Sequence, residues 1–303
     1  MPIRVLIKDI RLRELTEWEA YMTPDLVPYL LYDPDDRGIL WIRFNRPERM
    51  NAIVGNSQQN GTVAKVGEYM RSGDDDPNIR AIVLTGIGRA FCAGADLRGP
   101  REGEDPGENF SGNMGMTDGP DATRENFFHG FTKLHRDISL IRKPTIAMIN
   151  GPAVGSGMDM ALQCDIRIGC ENTRFVGYHQ VGQIFENGGS YYLPKMAGLG
   201  RALEFAYTGH LDADRAYSWG VLNHLVPSEK LEAKTQSICD AILAIPPLVQ
   251  WTSKRIMRAA LDSSLETTMV LTSNASGILA SSYDAQEARQ AFVEKRVPNF
   301  TGR

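Results

Sequence analysis

Cysteine is scarce in this chain: four residues, at positions 92, 164, 170 and 239. None belongs to a Cys-x-x-Cys pair, and Cys164 and Cys170 have five residues between them. This spacing matches neither a zinc-ligand set nor a disulfide framework, so no metal is expected. Reduced thiols in a cytoplasmic protein are the simplest account. No run of about 18 apolar residues occurs, so no membrane span is expected. No long basic run occurs either, and the formal charge is −4, which disfavours nucleic acid as the main partner. The N-terminal segment has no apolar core of signal-peptide length, and Asp9, Glu14, Glu17 and Glu19 argue against a transit peptide.

Apolar residues make up 42% of the 303 positions, enough to bury a large core in one domain or two unequal ones. Leu12, Leu15 and Trp18 recur at threes and predict a short amphipathic helix in an N-terminal extension, residues 1–28. Residues 29–45 predict two strands around an Asp-Asp-Arg-Gly turn, and RPERMNA opens a helical stretch running to about residue 72. The apolar runs at 79–86 and 144–150 predict buried strands, with a further strand at 165–170 and helices at about 125–141 and from about 156. Strands alternating with helices indicate an α/β fold with parallel pairing. After about residue 235 the pattern is helical throughout, so the expected division is a core over 29–235 and a helical region over 236–303. Residues 98–124 are rich in Gly, Pro, Asp and Asn without periodicity, and predict a long mobile loop serving as a flap.

Two segments share one design. Strand 79–86 runs into GRAFCAGADL, and strand 144–150 into NGPAVGSGMDMAL. In each, small residues precede a turn or helix start, where backbone N–H groups lack partners and carry partial positive charge. Two such donors converging on one point would make an oxyanion hole.

These segments also carry a resemblance. FNRPERMNA (44–52), GRAFCAGADL (88–97), INGPAVGSGMDMALQCDIRI (149–168), YTGHLDADRAYSWGVLNHLVP (207–227) and AFVEKRVPNF (291–300) resemble, in order, the motifs of the crotonase (enoyl-CoA hydratase/isomerase) superfamily. The resemblance implies a crotonase-like spiral of ββα units with a C-terminal helical trimerisation region, hence a homotrimer or a dimer of trimers. It implies an acyl-CoA thioester substrate, with coenzyme A entering as part of the substrate and no separate cofactor. It assigns the oxyanion donors to the N–H groups of Ala95 and Ser156. Arg46, Arg49, Asn51, Ala52, Ala93, Phe292 and Lys295 fall at positions that meet coenzyme A, the last two often from a neighbouring subunit.

The departures from the family pattern are as informative. One glutamate of the hydratase pair is replaced by Asp159, and the other falls near Tyr178–Gln180, most simply at His179. Glu186 lies in a Gly-rich turn, a partial likeness to the dienoyl-CoA isomerase branch. The expected proton carriers are therefore Asp159 and Glu186, with His179 as a third participant. His129 and His135 stand on the helix after the long loop and are left unassigned. The first functional expectation is a hydratase or double-bond isomerase acting on an unsaturated acyl-CoA. The alternatives are a crotonase-family hydrolase of a thioester or C–C bond, and a weakly catalytic CoA- or RNA-binding relative.

Overall fold

The computed structural model describes residues 29–54, 61–97, 120–121, 124, 132–185 and 187–303. The N-terminal extension, most of the 98–124 loop, His129 and Glu186 lie outside the described residues.

The Asp-Asp-Arg-Gly turn joins β1 (Leu30–Pro34) to β2 (Ile39–Phe44). Asp35 makes this turn, its Oδ1 accepting from the N–H groups of Arg37 and Ile39 at 2.9 Å each. β3 (Ala81–Gly86), β4 (Thr145–Ile149), β6 (Ile166–Gly169) and β9 (His224–Leu225) then pair in parallel, giving a sheet of order β1-β2-β3-β4-β6-β9 in which only β1 is antiparallel. Parallel strands covered on both faces read as continuous apolar runs, which is why β3 and β4 are the plainest elements in the sequence. The faces alternate as the pleat requires. Leu40, Ile42 and Phe44 enter the larger core with Ile82 and Leu84. Ile39 and Trp41 face the other way, with Val83 and Ile146, onto Leu231 and Cys239 of the helix Leu231–Leu243.

A second, small sheet of order β5-β7-β8 (Pro152–Val154, Arg174–Val176, His210–Asp212) lies beyond the end of β4. Single parallel bridges, Cys92 to Ala153 and Ile53 to Ala95, tie the segment after β3 to its neighbours. The RPERMNA stretch is not a long helix. It makes one 3-10 turn, Pro47–Arg49, and the helix of this region is Thr62–Asp75. Met50 and Asn51 have left-handed backbone (φ 55° and 59°), which ends the turn and redirects the chain.

The helical C-terminal region is Leu231–Leu243, Pro247–Ala260, Leu265–Ala280 and Tyr283–Glu294. Lys254 and Arg258 pin the second of these to the body through Asp165, at 2.6 and 2.8 Å. Leu265–Ala280 buries none of its residues, and Leu265, Met269, Val270 and Ile278 are all exposed.

Candidate active site

The helix Ser156–Gln163 starts directly after β5, through Gly155 at φ 54°. Every residue of this short helix is buried, Asp159 completely. The segment CAGAD lies against its start. Val154 N–H donates to Cys92 O at 2.8 Å, and a Cβ at Gly94 would stand 2.5 Å from Val154 O. A Cβ at Gly157 would likewise stand 2.4 Å from Cys92 O. The two small-residue turns therefore pack backbone on backbone, which only glycine at 94 and 157 permits. Around Ala95 the bridge uses Gly94 O and Asp96 N–H, so Ala95 N–H takes no part in it. Ser156, as first residue of its helix, has no acceptor in the preceding turn.

Above the helix start lies a group of hydroxyls. Tyr178 Oη is 2.8 Å from Ser156 Oγ and 3.2 Å from Asp159 Oδ2. The ring reaches this position by passing over Gly155, where a Cβ would meet Tyr178 Cε1 at 2.7 Å. Asn187 Nδ2 approaches both hydroxyls, at 3.1 Å from Tyr178 and 3.4 Å from Ser156. Behind Asn187 stand Gln163, which donates to Asn187 O at 2.7 Å, and His135, whose Nδ1 is 3.2 Å from the same amide nitrogen. Burial pushes His135 down to about 3, so the ring is neutral at ordinary pH. A Cβ at Gly189, the first residue of the helix Gly189–Ala197, would stand 2.6 Å from Asp159 Oδ1. The buried carboxylate thus lies beside a helix N-terminus, whose partial positive charge favours an anion.

The arrangement is a buried carboxylate next to a pair of backbone turns, with hydroxyl and amide groups on its flank. Among the described residues, no cluster of metal-ligating side chains occurs and no helix is long and apolar enough to cross a membrane.

The enoyl-CoA hydratase/isomerase family profile matches residues 35–303. The chain belongs to this family. Among its relatives, the 1,2-epoxyphenylacetyl-CoA isomerase of Escherichia coli is 32% identical over 270 residues, covering 88% of this chain and 97% of the relative. The crotonyl-CoA hydratase of Syntrophomonas wolfei is 30% identical, covering 89% and 96%. Among solved structures, an enoyl-CoA hydratase from Bacillus anthracis superposes with a TM-score of 0.78 at 27% identity, covering 91% of this chain and all of that one. The chain is thus an enzyme of the enoyl-CoA hydratase/isomerase type, and the mixed α/β fold with its helical C-terminal region is that of the family.

The structure distributes the residues expected from sequence unevenly. Ser156 and Asp159 share one helix, and Gly94, the neighbour of Ala95, packs against Val154 and Gly155 just before it. Tyr178, not His179, meets Asp159. The His179 ring packs edge-on against Phe185 and Phe205, with centroids 5.2 and 6.3 Å away. Adjacent residues of a one-turn 3-10 segment point in different directions, so the shift by one position changes the side chain delivered.

Arg46 and Arg49, expected near coenzyme A, converge on Asp96 of CAGAD, at 2.7 and 4.0 Å. The Arg46 pair is almost wholly covered, which makes it a brace between two motifs. Asn51 is also a brace, its amide donating to Ala90 O at 2.8 Å and Ile87 O at 3.0 Å. Ala52 is buried, and Ala93 N–H bonds Met50 O at 3.0 Å. Phe292 is 85% exposed, and Lys295 caps its helix in the left-handed region; both stand on the outer surface of the tail. Asn187 was missed in the sequence. Its only signal there is a place between Glu186 and two glycines, where a turn residue is the ordinary reading.

Proposed function

We propose that the enzyme isomerises a double bond in an unsaturated acyl-CoA, with Asp159 as proton carrier. The observation that carries this reading is the Tyr178 hydroxyl on Asp159, in the place where hydration would call for a second carboxylate. Water addition needs one group to take a proton from water and another to deliver one to carbon. A phenol holds its proton at neutral pH and cannot take one from water, whereas a single carboxylate suffices to move a proton between carbons.

In this reading the thioester oxygen is held by the N–H groups of Ala95 and Ser156. The developing enolate charge makes the C2–H bond of a 3-enoyl-CoA acidic. Asp159 takes the C2 proton, the electron pair delocalises through the double bond into the enolate, and a proton returns at C4. The product is the conjugated 2-enoyl-CoA, with no atom gained or lost. Glu186 is retained, from its place in the sequence, as the group that returns a proton at C4. The exposed Phe292 and Lys295 suit a contact with coenzyme A bound by a neighbouring subunit, and the apolar surface of Leu265–Ala280 suits a trimer.

The test is a panel of 2-enoyl-, 3-enoyl- and dienoyl-CoA thioesters, each followed by mass spectrometry in H2O and D2O. Isomers of unchanged mass in H2O, carrying deuterium in D2O, are expected. Predominant water adducts would make the enzyme a hydratase, and free coenzyme A a hydrolase.

A further inference from the structure

The hydroxyl group beside Asp159 has a definite hydrogen count. An ionised Asp159 accepts hydrogen bonds and donates none. Tyr178 has one proton, and Asp159 Oδ2 lies 3.2 Å from it. When that proton goes to the carboxylate, the 2.8 Å contact between Tyr178 and Ser156 must be made by the Ser156 proton. Both hydroxyl oxygens can still accept a hydrogen bond. Asn187 Nδ2 has two hydrogens and lies 3.1 and 3.4 Å from these two oxygens. Along these contacts the donors run toward Asp159.

We infer that Asn187, Tyr178 and the Ser156 side chain form a donor chain of fixed direction that positions the Asp159 carboxylate for proton transfer. The inference rests on Asp159 as proton carrier and adds three positioning residues to it. Asn187 is the source of direction, since an amide NH2 can only donate. It is itself held from behind. Gln163 Nε2 has two hydrogens, placed toward Asn187 O at 2.7 Å and His135 Nδ1 at 3.2 Å. Asn187, Gln163 and His135 are buried to 3% exposure or less, so the frame stays fixed while the hydroxyls can turn.

A second carboxylate in place of Tyr178 would accept only, and would repel the first.

The experiment uses the full-length enzyme with 3-hexenoyl-CoA as probe. Tyr178→Phe keeps the ring over Gly155 and removes one hydroxyl, and Asn187→Leu removes both amide donors. Each is expected to lower kcat at least 10-fold while KM stays within twofold, the signature of a group acting on the proton carrier and not on binding. Ser156→Gly keeps the backbone N–H and removes only the side-chain link, and guards against a folding defect in the other two. It is expected to lower kcat several-fold with KM unchanged. Full kcat in Tyr178→Phe or in Ser156→Gly overturns the donor chain, as does a loss confined to KM. Asp159→Asn is measured alongside. If Asp159→Asn retains activity, the carrier itself is misassigned, whereas loss in Asp159→Asn with full activity in Tyr178→Phe removes the chain alone.

Discussion

Asp159 and Gly189 stand so close that one excludes a side chain on the other: a Cβ at 189 would lie 2.6 Å from Asp159 Oδ1 and 2.4 Å from the Phe185 ring. Real Cβ atoms do not approach heavy atoms this closely, and a ring packed in the core cannot yield. Gly189→Ala is expected to displace the carboxylate and lower kcat for 3-hexenoyl-CoA at least 10-fold. A crystal structure of the variant should show Asp159 in another rotamer, and unchanged kcat would show that the carboxylate position is not critical.

Asp159→Asn should lower kcat by at least about 10²-fold, the lower end of acid–base contributions. Binding of coenzyme A should change little, as measured by calorimetry. Deuterium wash-in from D2O separates the candidate carriers: it should vanish in Asp159→Asn and persist in His179→Ala. If wash-in is lost in His179→Ala instead, the histidine is the base and the hydrolase reading moves ahead.

Ser156→Pro should abolish turnover, because proline has no N–H to hold the thioester oxygen. The loss of one such donor typically costs about 2.7–4 kcal/mol in transition-state stabilisation. Single-turnover kinetics on a folded variant, checked by circular dichroism, measure this directly.

Arg46→Ala should act on stability before binding. Its guanidinium is sealed against Asp96 at 2.7 Å, and its removal leaves that buried carboxylate with Arg49 at 4.0 Å, a loss smaller than the about 3–5 kcal/mol of a fully stranded charge. Urea unfolding should show this loss, whereas a raised KM with full stability would mean that Arg46 meets coenzyme A.

His135 predicts an acid-sensitive fold. Burial holds it at about 3 in the native state, against 6.5 for a free imidazole. Its folded value is depressed, so its contribution is complete above pH 6.5 and declines as pH falls from there toward 3, where the unfolded chain binds a proton that the native one refuses. His135→Gln should flatten this part of the stability–pH curve, measured by thermal melts. An identical slope in both proteins would exclude His135 as the source.

The large sheet was legible because its central strands are covered on both faces, so IRAIVLTG and PTIAMIN carry uninterrupted apolar runs. The small sheet was not. Pro152–Val154 and Arg174–Val176 are three residues each, too short for any period to register. The site divides in the same way. The place of Asp159 one turn beyond Ser156 was legible because both sit on a regular helix, where position fixes direction. Tyr178 and Asn187 were harder because each lies at the edge of an irregular turn, where a neighbour in sequence does not tell which way a side chain points. Arg46 shows another limit, since a basic residue in such a motif can also hold that motif to Asp96.

The single bridge between Cys92 and Ala153 has a kinetic meaning. It joins two turns that lie far apart along the chain, one after β3 and one after β4. Contacts of long sequence separation form late, because loop closure must precede them. During refolding, circular dichroism should therefore recover ahead of turnover. The interval between the two signals would time the closing of that one backbone seam.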